Sequence, residues 1–386
     1  MVARDFDRLL RDDPARIIRA LDGTPSNTLA ELREQATKLL NERLNFEVDS
    51  GRFARPLHIV NMTLNLVGGA QLQWQERKGE NFTVSALHSG SPRTGYRDSE
   101  RYGGDARISH ANPDYSVDRG ISLGTAIAIS GAAASPNMGY ISSPVITLLM
   151  TLFNVRLGWW LGNPGERGKD TYYRSEPRYG LRGWLSEAFG RTNDKSSYVY
   201  LSDGGHFENL GLYEMVRRRC HLIVVCDAAA DPDYSFGDLG NAIQKIRVDQ
   251  GIEISFDDFP IFKYENNKAA RRGKVCALGR IDYRAADGGK VENGWLIYIK
   301  PTLCGDETAD VLNYWCQHMS FPQQSTVNQW FDENEFESYR ALGFATMRRI
   351  ILDNNGGWKI NSVYELKNRA EAYLKGAPAA PAPAMP

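Results

Sequence analysis

Between residues 198 and 248 short apolar runs alternate with helical patterns, and this constrains the fold more than any other feature. "YVYLSDGG" runs a strand-like segment into Asp203, Gly204 and Gly205, and a helix is expected over residues 210–219. "HLIVVCDAAADPD" follows, with a continuous apolar run from Leu222 to Cys226 that ends in Asp227. Such a run suits a strand buried on both faces of a parallel sheet. Ser235 and Asp238 open a further helix through Val248, and "NGWLIYIKPTL" is another strand. Strands alternating with helices indicate an α/β layered domain. In parallel α/β sheets, sites form at the carboxyl ends of strands, which is where Asp203 and Asp227 fall. Gly204 and Gly205 remove side-chain bulk from a tight turn or a substrate. Asn209 is placed to cap the helix that follows.

Upstream, residues 4–48 read as helical and polar-faced, with a Thr28/Glu31 capping-box pattern. Residues 1–50 are therefore expected to form an N-terminal helical segment. "LHIVNMTLNLV" (57–67) and "FTVSAL" (82–87) are strand candidates. Ser89 to Arg119 has no periodicity and reads as one long functional loop. "ISLGTAIAISGAAASPN" reads as a small-residue helix ended by Pro136. Residues 305–375 look mainly helical and belong with the preceding domain, which spans 51–375. "GAPAAPAPAMP" (376–386) is a disordered Pro/Ala tail.

The most apolar segment runs from Pro144 to Gly162 and is interrupted by Asn154 and Arg156. Against the ~20 apolar residues a spanning helix needs, it is marginal. It is expected as a core helix. The alternative is a helix dipping into a lipid interface, with Trp159 and Trp160 at headgroup depth. Charge is balanced, 46 Lys+Arg against 47 Asp+Glu, so no global field points to nucleic acid. Five cysteines with no C-x-x-C spacing indicate neither a disulfide framework nor a zinc knuckle, and favour a reducing, cytoplasmic compartment. The N-terminus carries no apolar signal-peptide core.

A carboxylate at position 203 has three possible jobs: general base, metal ligand or turn-former. The six histidines are scattered without ligand spacing, so no metal is expected. His206 is close to Asp203 but reads as an ordinary loop residue.

"SDGGHFENLGLYEMVRRRCHLIVVCDAAADP" resembles the second catalytic block of the patatin-like and cytosolic phospholipase A2-like acyl hydrolases. "AIAISGAAASPNMGY" resembles the block before it. "PLHIVNMTLNLVGG" and "WQERKGENFTVSAL" resemble the paired strands after the nucleophile helix, and "FPQQSTVNQWFDENEFESYRALG" the tail of the bacterial branch. The resemblance covers roughly residues 50–350 in ordered blocks. It implies a three-layer α/β/α fold around a mostly parallel sheet. It also implies hydrolysis of a lipid or acyl ester by a Ser-Asp dyad with no cofactor. Asp203 carries over as the dyad's base, and Gly204 and Gly205 as the rest of its motif.

The family's serine sits in a G-x-S-x-G elbow between a strand and a helix. The formal match is "GISLG", Gly120 to Gly124, centred on Ser122. A polar loop precedes it instead of a strand, and it lies after the paired strands instead of before them. The same objection applies to Ser130. The expectation is therefore the C-terminal part of a larger acyl hydrolase, lacking the nucleophile-bearing strands. Its partners would be an upstream segment, a membrane surface to which it is peripheral or tethered, and a second copy at an exposed sheet edge. A non-catalytic lipid-binding or scaffold module of the same fold is the rival expectation.

Overall fold

Val60, Met62 and Leu64 occupy alternate positions, with Asn61, Thr63 and Asn65 between them. This period of two gives a strand with one apolar and one polar face. In the computed structural model it is β1 (Ile59–Asn65). The structure describes residues 57–66, 77–104, 120–131, 158–177, 194–264, 273–325, 330–352 and 362–376, together with 328, 357 and 359–360. The expected helical segment over 1–50 and the tail from 377 lie outside the described residues, as do the loop over 105–119 and residues 132–157. The chain divides into two compact units, Met1–Phe207 and Glu208–Pro386.

In the first unit β1 pairs antiparallel with β2 (Gly79–Ser85) on one side and β6 (Tyr198–Ser202) on the other. Beyond β2 lie β3 (His88–Ser91) and β4 (Gly95–Asp98); beyond β6 lies β5 (Trp159–Gly162). Every pairing in this sheet is antiparallel. Val60, Met62 and Leu64 meet Val84, Phe82 and Leu201 across the strands on the apolar face. Ala126 and Ile129 of helix α1 (Leu123–Ser130) join that core. The other face of β1 is polar, and Thr63, Asn65, Asn81, Thr83 and Ser202 on it are buried nonetheless.

The second unit holds a four-stranded sheet in the order β7–β10–β9–β8, where β7 is Leu222–Cys226, β8 Ile254–Phe256, β9 Cys276–Ile281 and β10 Gly294–Ile299. Helices α2 (Leu212–Arg217), α3 (Gly237–Gln250), the short α4 (Tyr283–Ala286), α5 (Ala309–Gln317), α6 (Glu333–Ile351) and α7 (Val363–Leu374) complete it. Met347, Ile350 and Ile351 of α6, with Leu366, Ala370 and Leu374 of α7, pack on the sheet face presented by Cys276, Ile297 and Ile299. Phe236 and Phe259 pack edge-on or tilted against Tyr298 on the opposite face.

These sheets correct the expectation of a mostly parallel sheet. Among the described strands only β7 and β10 are parallel; β8, β9 and the first sheet are antiparallel. Connections decide this. The two residues between β2 and β3 permit only a hairpin, whereas β7 reaches β10 through a long crossover containing α3. β7 is also an edge strand and not one buried on both faces: Val224 and Cys226 are exposed. The stretch after Ser89, expected as a loop, begins with β3 and β4. Their side chains are small and polar and pair with one another, Ser89 Oγ with Ser99 Oγ at 2.7 Å and Ser91 Oγ with Thr94 Oγ1 at 3.0 Å. Ladder bonds hold such strands without an apolar repeat. Trp159 and Trp160 end the apolar segment in a strand and not in a helix. Among the described residues no helix is long and apolar enough to cross a membrane.

All five cysteines are free. Burial pushes the Cys276 thiol up to about 12 and the Cys304 thiol up to about 11. Titration of the native protein with a thiol reagent at pH 8 should count Cys220, Cys226 and Cys316, and all five only after denaturation. Rapid native labelling of Cys276 would contradict its burial.

Candidate active site

Five residues of β6 deliver the chain to Asp203, which sits half-buried at the strand's carboxyl end. A single 3₁₀ turn, Gly204–His206, follows, with Asp203 as its N-cap. Asp203 Oδ1 accepts from the Gly205 N–H at 2.6 Å. Its other oxygen, Oδ2, has no hydrogen bond or ion pair among the described residues. The turn is pinned to β1 through Thr63, whose hydroxyl donates to the carbonyl of Asp203 at 2.7 Å.

Gly204 is fixed by close approach. A Cβ there would lie 2.7 Å from the Asn61 carbonyl oxygen, which belongs to the backbone of β1 and cannot turn away. Gly204→Ala should therefore cost about 1–3 kcal/mol, as overpacking does. Thermal unfolding measures it; an unchanged midpoint would mean that β1 and the turn separate easily. The same carbonyl accepts from Ser130 Oγ at 2.7 Å, so the end of α1 lies against the Asp-Gly-Gly turn.

Two further residues come together here. Ser202 Oγ and His206 Nδ1 are 3.0 Å apart, and Asn65 Nδ2 donates to Ser202 Oγ at 2.8 Å. His206, expected as a loop residue, lies in the 3₁₀ turn, and its ring meets the strand that leads to Asp203. The available signal was the four-residue spacing in "SDGGH", which a turn folds back on itself. The buried oxygens Asn61 Oδ1 and Asn65 Oδ1 have no hydrogen-bond partner. The polar face of β1 beside Asp203 is therefore only partly satisfied, as functional sites often are.

Ser122 is an N-cap. Its hydroxyl accepts from the Thr125 N–H at 3.0 Å, and its backbone is extended at φ −71°, ψ 151°. No strand leads into it; Gly120 and Ile121 are irregular. An elbow serine sits on a sharp, strained strand-to-helix turn, and Ser122 does not. Ser122→Ala should cost about 1 kcal/mol of stability through the lost cap and leave any ester hydrolysis unchanged. Loss of hydrolysis with an unchanged unfolding midpoint would make Ser122 a nucleophile after all.

Asn209 does not cap the next helix. Its amide donates to Asp238, while Glu208 takes the N–H groups of Leu210 at 2.5 Å and Tyr213 at 3.2 Å. Burial raises the Glu208 carboxyl above its ordinary range despite those two bonds. Asp227, at the end of β7, is buried and committed to structure. It accepts from the Tyr298 hydroxyl and pairs with Lys300 Nζ at 3.3 Å. Among the described residues, one group has the donor types and spacing for a metal ion: Cys304, Asp306 and Glu307. Arg349 already sits on both carboxylates, at 2.6 Å and 3.0 Å, so a guanidinium occupies the cation position.

No protein-family model matches the chain, and no curated protein matches it. Among solved structures, human GIVD cytosolic phospholipase A2 aligns with a TM-score of 0.43 and 14% identity. That alignment covers 95% of this chain and 52% of that one, so the chain spans about half the length of the structure it matches.

Proposed function

We propose that the chain supplies the acidic half of a Ser-Asp dyad for hydrolysis of lipid acyl esters, with Asp203 as the base. The observation that carries this reading is the state of its carboxylate. One oxygen is held by the Gly205 N–H; among the described residues the other has no partner and no cation pairs with the carboxylate. Such a group can take a proton directly, without an imidazole relay. In the reaction Oδ2 accepts the proton of a serine hydroxyl as its oxygen attacks the ester carbonyl. The tetrahedral intermediate collapses, and the same proton passes to the leaving alkoxide. Water then attacks the acyl-enzyme carbonyl as Asp203 takes its proton; the serine ester C–O bond breaks, the carboxylic acid leaves, and the proton passes to the serine oxygen. Ser122 caps a helix and Ser130 is bonded to Asn61, so the proposal takes the nucleophile from outside the described residues.

A second observation favours a lipid as the substrate class. A cavity of about 350 Å³ in the first unit is lined by His58, Val60, Val84, Ile121, Leu123 and Ala126 among others, and Leu123 is exposed at it. A mostly apolar cleft of that size takes part of an acyl chain. The rival reading, a lipid-binding module without chemistry, rests on this cavity alone.

Fluorophosphonate labelling separates the two. The expected result is one labelled serine, neither Ser122 nor Ser130, whose labelling falls sharply in Asp203→Asn. Label at Ser122 that disappears in Ser122→Ala would overturn the assignment of the nucleophile. Fatty-acid binding without any labelling, even with an upstream segment added, would favour the binding module.

A further inference from the structure

The second unit carries a feature separate from Asp203. Trp315 of α5 and Phe321 beyond it are almost fully buried, and both line a cavity of about 90 Å³. Tyr234 and Tyr264 stand half-buried beside them, and Pro232 and Met319 are exposed at its mouth. The Tyr264 and Trp315 rings meet edge to face, with centroids 5.1 Å apart. The walls are thus mainly aromatic, and solvent reaches them past Pro232 and Met319.

We propose that this cavity receives the chain's own C-terminal tail, residues 377–386, as a polyproline II segment. The tail's sequence is the first reason. "APAAPAPAMP" contains Pro378-x-x-Pro381 and Pro383-x-x-Pro386. Polyproline II has three residues per turn, so each pair sets two proline rings on one edge. Segments of this kind dock into aromatic-lined grooves, because their conformation is preformed. The second reason is size. The cavity is smaller than the ~150 Å³ that holds benzene, so it suits a pyrrolidine ring better than an aromatic one. The third is hydrogen bonding. A polyproline II strand leaves its carbonyls without internal partners. The Trp315 indole N–H and the exposed Lys263 ammonium, both at the cavity, make no hydrogen bond or ion pair among the described residues, and the indole nitrogen is not sealed from solvent. The fourth is reach. Tyr373 and Leu374, at the end of α7, pack in the cluster that contains Cys304. Gly305 follows, and a Cβ there would lie 2.9 Å from the Tyr264 ring. Ten residues of polyproline II extend about 31 Å, more than this short path requires.

The test compares the full chain with a chain ending at Gly376. A synthetic peptide of residues 376–386 should bind the shortened chain with a Kd at or below about 0.1 mM by calorimetry. A tethered tail has a millimolar effective concentration, so the full chain should bind that peptide at least ~10-fold more weakly. The indole signal of Trp315 in a ¹H–¹⁵N spectrum, assigned by its loss in Trp315→Phe, should move when peptide is added to the shortened chain. Met319→Glu, at an exposed position, should weaken the peptide severalfold with an unchanged far-UV spectrum. A peptide with alanine at all four prolines should not bind. Light scattering should give the two chains the same oligomeric state. Should Trp315→Phe fail to fold, Met319→Glu and the proline-free peptide decide. No binding to the shortened chain, or binding that survives Met319→Glu or loss of the prolines, overturns the proposal. So does equal binding to both chains, which would assign the cavity to a proline-rich segment of another protein. So does an oligomer formed only by the tailed chain, which would place the tail on a second copy.

Discussion

Asp203→Asn should reduce ester hydrolysis at least ~10³-fold while leaving the fold intact. The amide keeps an oxygen for the Gly205 N–H, so the turn retains its 2.6 Å contact. It loses only the ability to accept a proton from a serine. The measurement is turnover of a short-chain aryl ester and of a lysophospholipid, with the unfolding midpoint recorded alongside. Equal loss of stability and activity would mean that Asp203 merely forms the turn. Unchanged hydrolysis in a folded Asp203→Asn protein would end the dyad reading. His206→Ala supplies the contrast. The imidazole contacts Ser202 and not the proposed proton-accepting oxygen, so its removal should act through the position of the strand end, with a smaller fall in rate.

Lys300→Met should be the most damaging single change in the second unit, at about 3–5 kcal/mol. Lys300 and Asp227 are both almost fully buried, with 1% of each side chain exposed, and lie 3.3 Å apart. Tyr298 donates to the same carboxylate, and Lys300 Nζ also donates to the Ala229 carbonyl at 3.1 Å. Burial, and then the bond to Asp227, raises the Tyr298 phenol far above its ordinary range, so it stays a donor at any working pH. Removing the ammonium leaves a carboxylate in a dry interior with less than its full set of partners. The unfolding midpoint should drop by about 10 °C. Lys300→Met/Asp227→Leu should recover a large part of that loss, because the stranded charge goes with its partner. Strict additivity of the two single changes would show that the pair is not coupled.

Much of the second unit was legible in its residues. The apolar run Leu222 to Cys226, the helix after Asp238 and the strand "GWLIYI" all lie where their periodicity places them. β8 and β9 carry no strand signal of their own, since "ISF" is too short for a pattern and "CALGRI" carries Gly279 and Arg280 within six residues. In the first unit β1 is visible from partial alternation and β2 from an apolar, β-branched run after Gly and charged turn residues, but β3 and β4 are not, because "HSGS" and "GYRD" lack any apolar repeat. At the site, the position of Asp203 at a strand end followed from "YLSDGG" alone. The approach of Ser130 and Asn61 to Gly204 did not, for 69 residues of chain separate the two partners of that hydrogen bond.

What the amino-acid order determined by itself is local: which stretches become strands or helices, and that a carboxylate followed by two glycines ends one strand. Periodicity and turn chemistry act over a few residues, and the chain states them directly. Strand direction, the buried polar face of β1, and the tie between Ser202 and His206 were decided by tertiary packing. Each depends on which distant segment comes to lie alongside, and the free energy that selects it belongs to the assembled core and not to any single stretch of sequence.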